Sequence, residues 1–392
     1  VEEEAMTTPV AGQSAEERDP FADFSLAALI SATARLRPDS LAFHDRAQSL
    51  PYGLLAAQVA AVARLLSDCG LKPGERILIT GGAEISLIVV LIAALRGGYE
   101  PALAPLDLDP ADLAAYARGL DVAALVGPSH YGDLCPVETC LMTAAAVASI
   151  RLVASCGPEA FDGAIDLSPA ACLLYATAHP DDGLERGKLA PAVPPRIITL
   201  DRGHELKPVF HRQSTLIAAG LDFASRARIG RETPILCTLP PTSFAGLVAG
   251  PFAALLSGAP LHLHGPFDAR DFLKLRDRVA RPHLVVPAAV APDLVYADAM
   301  AGLASAILVS RPSARAGVQL PERLTAPCAL IDLYAVDEMA AVAEERNGGV
   351  AQPLAREPHY IGVDDDRVLA IATLPASGDS FSLHGAAVTS VN

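Results

Sequence analysis

At 392 residues, about half of them apolar, the chain has material for a large core and for more than one subdomain. A formal charge of -15 argues against nucleic acid or an anionic membrane surface as partner, because both need clustered Lys and Arg. The longest apolar run, Ile85 to Leu95, has the length of a core helix and is too short to span a bilayer.

In chain order, residues 1–20 are acidic and polar and are expected to form a disordered tail without the chemistry of a signal peptide. Whether Val1–Ala5 is native or precedes a true start at Met6 stays open. From Leu26 the pattern alternates helix and strand: helix GLLAAQVAAVARLLSDCG, strand RILIT, helix ISLIVVLIAALR, strand EPALAPL, helix PADLAAYARGL, strand VAALVG. LLYATAHPDD, from Leu173, begins like a strand that should deliver the chain into a loop. The stretch from Pro180 to Pro195, rich in Pro, Gly and charge, reads as an exposed loop. The grammar then repeats with helix QSTLIAAGLDFASRARI, strand PILCTL, helix LVAGPFAALLSG, strand PLHLH, helix ARDFLKLRDRVA and strands HLVVP, SAILVS and CALIDLY. YIGVDDDRVLAIATL and DSFSLHG read as short antiparallel strands. The expected fold is α/β: two helix-covered, mostly parallel sheets packed together, with a small β-rich C-terminal piece. The expected divisions are 21–195, 196–345 and 346–392. Seven cysteines without a Cys-x-x-Cys pair suit reduced thiols in a cytoplasmic protein.

The order of these elements, with LPYGLLAAQVAAVARLLSDCGLKPGERILI, ALRGGYEPALAPLDLDP and LIDLYAVDE at its joints, resembles the adenylate-forming superfamily of acyl-CoA synthetases, adenylation domains and luciferases. The likeness runs from about Leu26 to about Gly385 and implies the large N-terminal domain of those enzymes. It also implies a chemistry in which a carboxylate attacks the α-phosphate of ATP, giving an acyl-adenylate, with Mg2+ as cofactor. Positioning and electrostatics carry such a reaction. A Gly/Ser/Thr loop clasps the phosphates through backbone amides, an aromatic stacks the adenine and a Glu holds the metal.

Set against that pattern, the sequence departs at the phosphate loop. Where the family reads Thr-Ser-Gly-Thr-Thr-Gly-x-Pro-Lys, the residues after Tyr175 are Ala176, Thr177, Ala178, His179, Pro180, Asp181 and Asp182. Lys207-Pro208-Val209 is read as the distal end of the motif, displaced by an insertion. Tyr334 to Glu338 stand in place of Tyr-Gly-x-Thr-Glu, with Ala335 for Gly and Asp337 for Thr. Ser243 replaces the pocket His, and SGDSFSLHGAAVTSVN resembles the approach to the interdomain hinge, with Ala386 where an Arg is common. The Lys-bearing C-terminal domain is expected to be absent.

The vestigial nucleotide-binding candidates implied by the resemblance are Tyr334, Glu338, Lys207 and Thr177, with Glu338 the metal candidate; Ser243, Phe244 and Gly246 are the pocket candidates. Each has a plainer alternative. Tyr334 can be a packing residue, Glu338 a helix-start carboxylate, and Lys207 a solvated charge. His204, Glu205 and His211 lack the spacing of a zinc site, His262 and His264 read as one sheet face, Asp268 reads as a helix N-cap, and Gly81-Gly82 is a strand-to-helix turn in a position suited to anions, though the family the chain resembles does not bind phosphate there. Three functions follow. The first is a truncated pseudoenzyme that binds an acyl or aromatic carboxylate, or a protein partner. The second is an active ligase with an altered loop, using ATP and Mg2+ and completed in trans. The third is a structural or homo-oligomerising subunit.

Overall fold

The structure is a computed structural model and describes residues 21, 24–178, 194–202, 205–311, 322–352, 360–364, 367–370 and 386–389. In chain order the first strands are β1 (Leu41–His44), β2 (Ser49–Pro51), β3 (Arg76–Gly81), β4 (Glu100–Pro105), β5 (Ala124–Pro128), β6 (Leu152–Cys156) and β7 (Ile165–Asp166). Next come β8 (Ile197–Arg202), β9 (Leu206–His211), β10 (Ile235–Cys237), β11 (Leu261–Leu263), β12 (His283–Pro287) and β13 (Ser305–Ser310). The last are β14 (Ala329–Val336), β15 (Ala340–Glu345), β16 (Tyr360–Asp364) and β17 (Arg367–Ala370).

Two large sheets result, ordered β7-β6-β5-β3-β4-β8-β9 and β15-β14-β13-β12-β10-β11-β1-β2. Pairing is parallel except at β8–β9, β14–β15 and β1–β2, so the expected mostly parallel architecture is present. The chain changes sheet more than once: β1 and β2 join the second sheet, while β8 and β9, beyond residue 195, complete the first. The β16–β17 hairpin is antiparallel. The stretch DSFSLHG, residues 179–193 of the expected loop Pro180 to Pro195, and the tail over 1–20 lie outside the described residues.

Strand alternation explains why both faces of each sheet are covered. Ile77, Ile79, Leu103 and Val126 of the first sheet and Ile235, Val285, Ile307 and Ile331 of the second share one core. The helix Ile85–Arg96 lies in that core, buried at nearly every position, which accounts for its uninterrupted apolar run. Leu78, Ala102, Leu125 and Ile198 face the other way, toward the helix Pro110–Gly119. On the second sheet Leu236, Leu284 and Leu308 face outward with Phe272.

Two expectations change here. Leu173–Thr177 is not a strand: Pro169–Ala178 is a helix, packed on the helix Tyr52–Asp68 with the Tyr175 hydroxyl bonded to Asp68. Its Ala- and Leu-rich sequence and leading Pro favour that state. The Gly81-Gly82 turn is not an open anion cradle. The Gly82 amide donates to Glu84 at 3.3 Å and the Ile85 amide to Asp45 at 2.8 Å. Burial pushes the Glu84 carboxyl up to about 7. A Cβ on Gly82 or on Gly265 would stand 2.1 Å from Tyr131, so both glycines admit that ring to the joint between the sheets.

Candidate functional site

Two hairpins meet where Thr199 of one bonds to Glu338 of the other. In the first, β8 and β9 pair antiparallel, with Asp201 opposite Lys207 and Arg202 opposite Leu206. The family's phosphate-loop pattern lies on this hairpin without a gap, from Thr199 to Lys207, with the two end residues unchanged. Leu200, Asp201 and Arg202 follow Thr199, and His204 takes the place of the second Gly. The pattern thus meets this hairpin at its two ends, whereas the residues after Tyr175 continue a helix to Ala178. Thr177 lies on the Pro169–Ala178 helix, where its hydroxyl donates to the Leu174 carbonyl at 2.8 Å. Lys207 is exposed and faces Glu205 at 3.4 Å. Arg202 is likewise exposed, paired with Asp107 at 2.8 Å.

In the second hairpin, β14 and β15 are joined by a turn closed by the Met339 amide on the Val336 carbonyl at 2.7 Å. Asp337 and Glu338 occupy its centre with φ of 42° and 55°. Left-handed backbone at a non-glycine residue costs about 1–2 kcal/mol, and the Glu338 carboxylate supplies compensating contacts. One oxygen accepts from Arg311 at 2.8 Å and the other from the Phe244 amide at 2.5 Å. The Thr199 hydroxyl bonds to it as well. Its side chain is 3 % exposed. Burial pushes the carboxyl above its ordinary range and nearby Asp201 adds to that, while Arg311, Phe244 and Thr199 act against it.

Phe244 opens the short helix Phe244–Leu247, whose N-cap Ser243 accepts from the Gly246 amide at 3.2 Å. A Cβ at Gly246 would come within 2.2 Å of the Pro240 carbonyl oxygen, so this close approach requires glycine. The chain then kinks at Gly250-Pro251 before continuing as the helix Ala253–Ser257. Ser243, Phe244, Gly246 and Glu338 are thus brought together. Tyr334 looks elsewhere: its hydroxyl donates to the Gln352 carbonyl at 2.7 Å, and the ring is only 8 % exposed. Two residues away, Asp332 and Arg346 form a fully buried ion pair at 2.8 Å.

His211, Arg311, Thr199 and Asp201 belong to the site although nothing in the sequence singled them out for it. His211 is fully buried, lies 5.1 Å from the Phe244 ring, and is held neutral because burial pulls its pKa down to about 3. Its Nε2 meets the Thr199 hydroxyl at 2.7 Å and its Nδ1 the Thr389 hydroxyl at 2.6 Å. The tautomer with the proton on Nε2 satisfies the whole chain: Thr389 donates to His211, His211 to Thr199, and Thr199 to Glu338. The Thr389 amide also donates to the Met339 carbonyl at 2.9 Å, and Ala387 is 1 % exposed. Residues 386–389 therefore pack into the cleft against both hairpins.

These residues do not fit Mg2+ with ATP in the arrangement seen. A magnesium ligand must present an oxygen toward waters and phosphates, and both Glu338 oxygens are engaged inside the protein. Asp201 stands at the third position of the loop pattern, where Gly would let a phosphate approach. A carboxylate about 4 Å from a phosphate charge opposes it by about 4 kcal/mol at an effective dielectric of 20. Among the described residues, no group of three or more His, Cys, Asp or Glu could hold a metal ion.

Residues 30–169 match the family model described as AMP-binding enzyme. Among solved structures, the apo structure of MbtA from Mycobacterium smegmatis superposes with a TM-score of 0.63 at 18% identity, covering 88% of this chain and 64% of that one. VinN gives a TM-score of 0.68 at 15% identity, covering 93% and 89%. The chain carries the adenylate-forming fold. The anthranilate CoA ligase AuaEII, in complex with anthranoyl-AMP, shares that fold with a TM-score of 0.65 at 12% identity, covering 80% and 60%. A shorter match, 37% identical over 83 residues, is to malpibaldin synthetase of Mortierella alpina, covering 21% of this chain and 2% of that protein. The chain thus spans less than two thirds of MbtA and AuaEII and a small part of malpibaldin synthetase. Among the described residues, no helix of the adenylate-forming fold seen here is long and apolar enough to cross a membrane.

Proposed function

We propose that this chain is an adenylate-forming-fold protein that does not adenylate, and that it serves as a binding subunit for an acyl or aromatic carboxylate or for a protein partner. The observation that carries this reading is the state of Glu338, buried and spoken for by Arg311 and the Phe244 amide. Asp201 in the loop and the packing of 386–389 against His211 support it further. The ligand class follows from the company the fold keeps: AuaEII is described with anthranoyl-AMP and VinN with L-aspartate. ATP–pyrophosphate exchange with a panel of aliphatic and aromatic carboxylates tests it. The expected result is no exchange above background with any acid.

A second reading has its own support. Thr199 and Lys207 match the two ends of the loop pattern, and Glu338 stands in a left-handed turn of the kind that gathers at functional sites. On that reading the chain supplies the nucleotide side of a ligase site, and the catalytic lysine comes from a domain outside these residues. Exchange activity that appears on adding a catalytic-lysine domain in trans, and disappears in Glu338→Ala, would establish the second reading over the first.

A further inference from the structure

Residues 386–389 bridge the two hairpins without belonging to either. The Thr389 amide donates to the Met339 carbonyl at 2.9 Å, in the turn between β14 and β15. The Thr389 hydroxyl donates to Nδ1 of His211, on β9, at 2.6 Å. Ala387 and Thr389 are 1 % and 5 % exposed, and Ala386 and Ala387 pack on the core that the two sheets share. The segment is neither helix nor strand, and its side chains are small. Little apolar area therefore holds it down, which places it among the parts of a fold that open before the whole unfolds. It covers His211, which is fully buried, lies 5.1 Å from the Phe244 ring and bonds through Thr199 to Glu338.

We propose that residues 386–389 form a releasable strap: seated, it closes the Phe244–Glu338 site to ligands, and lifted, it opens that site to a carboxylate. The ligand class rests on the carboxylate-binding function proposed for this site; the strap rests on its own contacts. Thr389 is the partner that satisfies Nδ1 of His211 while the ring is shut in. Lifting the strap gives up that bond and the one to Met339, and water replaces both. The imidazole, kept neutral by burial, then regains its ordinary affinity for a proton. A protonated ring beside Phe244 gives a carboxylate a charge-assisted partner next to an apolar wall. The charge of nearby Glu338 is balanced by Arg311 at 2.8 Å, so it does not bar an anion.

Diethyl pyrocarbonate acylates accessible imidazoles, and mass spectrometry of the treated full chain reads each His separately. Exposed His130 is the reactive reference, and buried His283 checks that the sheets stay folded. Ala387→Asp puts a charge at a buried position and unseats the strap; Thr389→Val keeps the shape and removes the hydroxyl alone. In the parent, His211 is expected to react at least a hundredfold more slowly than His130. Thr389→Val should raise the His211 rate at least threefold and Ala387→Asp at least tenfold, with His283 protected throughout. Isothermal titration with benzoate, anthranilate and octanoate should then show at least one acid bound tenfold or more tightly by Ala387→Asp than by the parent. His211 as slow in both variants as in the parent overturns the strap, and so does a parent His211 as fast as His130. Labelling of His283 along with His211 in Ala387→Asp means general unfolding, and Thr389→Val then decides alone. Faster His211 labelling with no acid bound more tightly upholds the strap and overturns the carboxylate reading of the site.

Discussion

The hairpins β8–β9 and β14–β15 meet where Thr199 bonds to Glu338, yet the residues about their turns are held in different ways. Around Thr199–Lys207 the charged residues point to solvent: Lys207 pairs with Glu205 and Arg202 with Asp107, both on the surface. Around Tyr334–Glu338 the Tyr334 hydroxyl and the Glu338 carboxylate are satisfied inside the protein, by Gln352 and by Arg311, Phe244 and Thr199. Glu338 and Tyr334 are thus held by the fold itself, whereas Lys207 and Arg202 meet only surface partners.

The comparison can be broken first at its most buried point. Asp332→Asn would strand the Arg346 charge at a site where both side chains are 0 % exposed. Removing one partner of a buried pair costs about 3–5 kcal/mol, and urea unfolding should show a loss of that size. Acidification is expected to have the next largest effect, through His211. Its folded pKa, about 3, lies below the unfolded value of about 6.5, so the unfolded state binds the proton first as pH falls. The stability contribution is whole above about 6.5 and is lost progressively toward 3, by about 2 kcal/mol at pH 5. Unfolding midpoints of the parent and of His211→Gln across pH 7 to 5 should differ in slope by that amount.

Smaller effects sharpen the contrast between the hairpins. Glu338→Gln keeps the shape but weakens the bonds to Arg311 and the Phe244 amide, and should cost about 1–2 kcal/mol. Lys207→Ala should change stability by less than about 0.5 kcal/mol, as expected for an exposed residue in a weak ion pair. Equal costs for the two substitutions, in the same denaturation assay, would remove the distinction drawn between the turns.

Much of the scaffold was legible because it obeys period and punctuation. The runs RILIT, HLVVP and SAILVS are strands, Tyr52 opens its helix, and Asp268 caps the helix Ala269–Arg278, accepting from the Asp271 amide at 2.8 Å. The helix Pro169–Ala178 was misread because a short apolar run fits either state and the phosphate-loop expectation tipped it toward a strand. The same expectation drew attention away from Thr199–Lys207, where the nine-residue pattern survives only at its ends. His211 and Arg311 were out of reach for a different reason. His211 lies 127 positions and Arg311 27 positions before Glu338, and only sheet topology brings them to it.

The account turns on whether the cleft still takes a nucleotide. Isothermal titration of the chain with Mg-ATP, alongside Glu338→Ala, measures this directly. The account predicts no saturable heat at millimolar ATP and no difference between parent and variant. A micromolar dissociation constant that is lost in Glu338→Ala would contradict it.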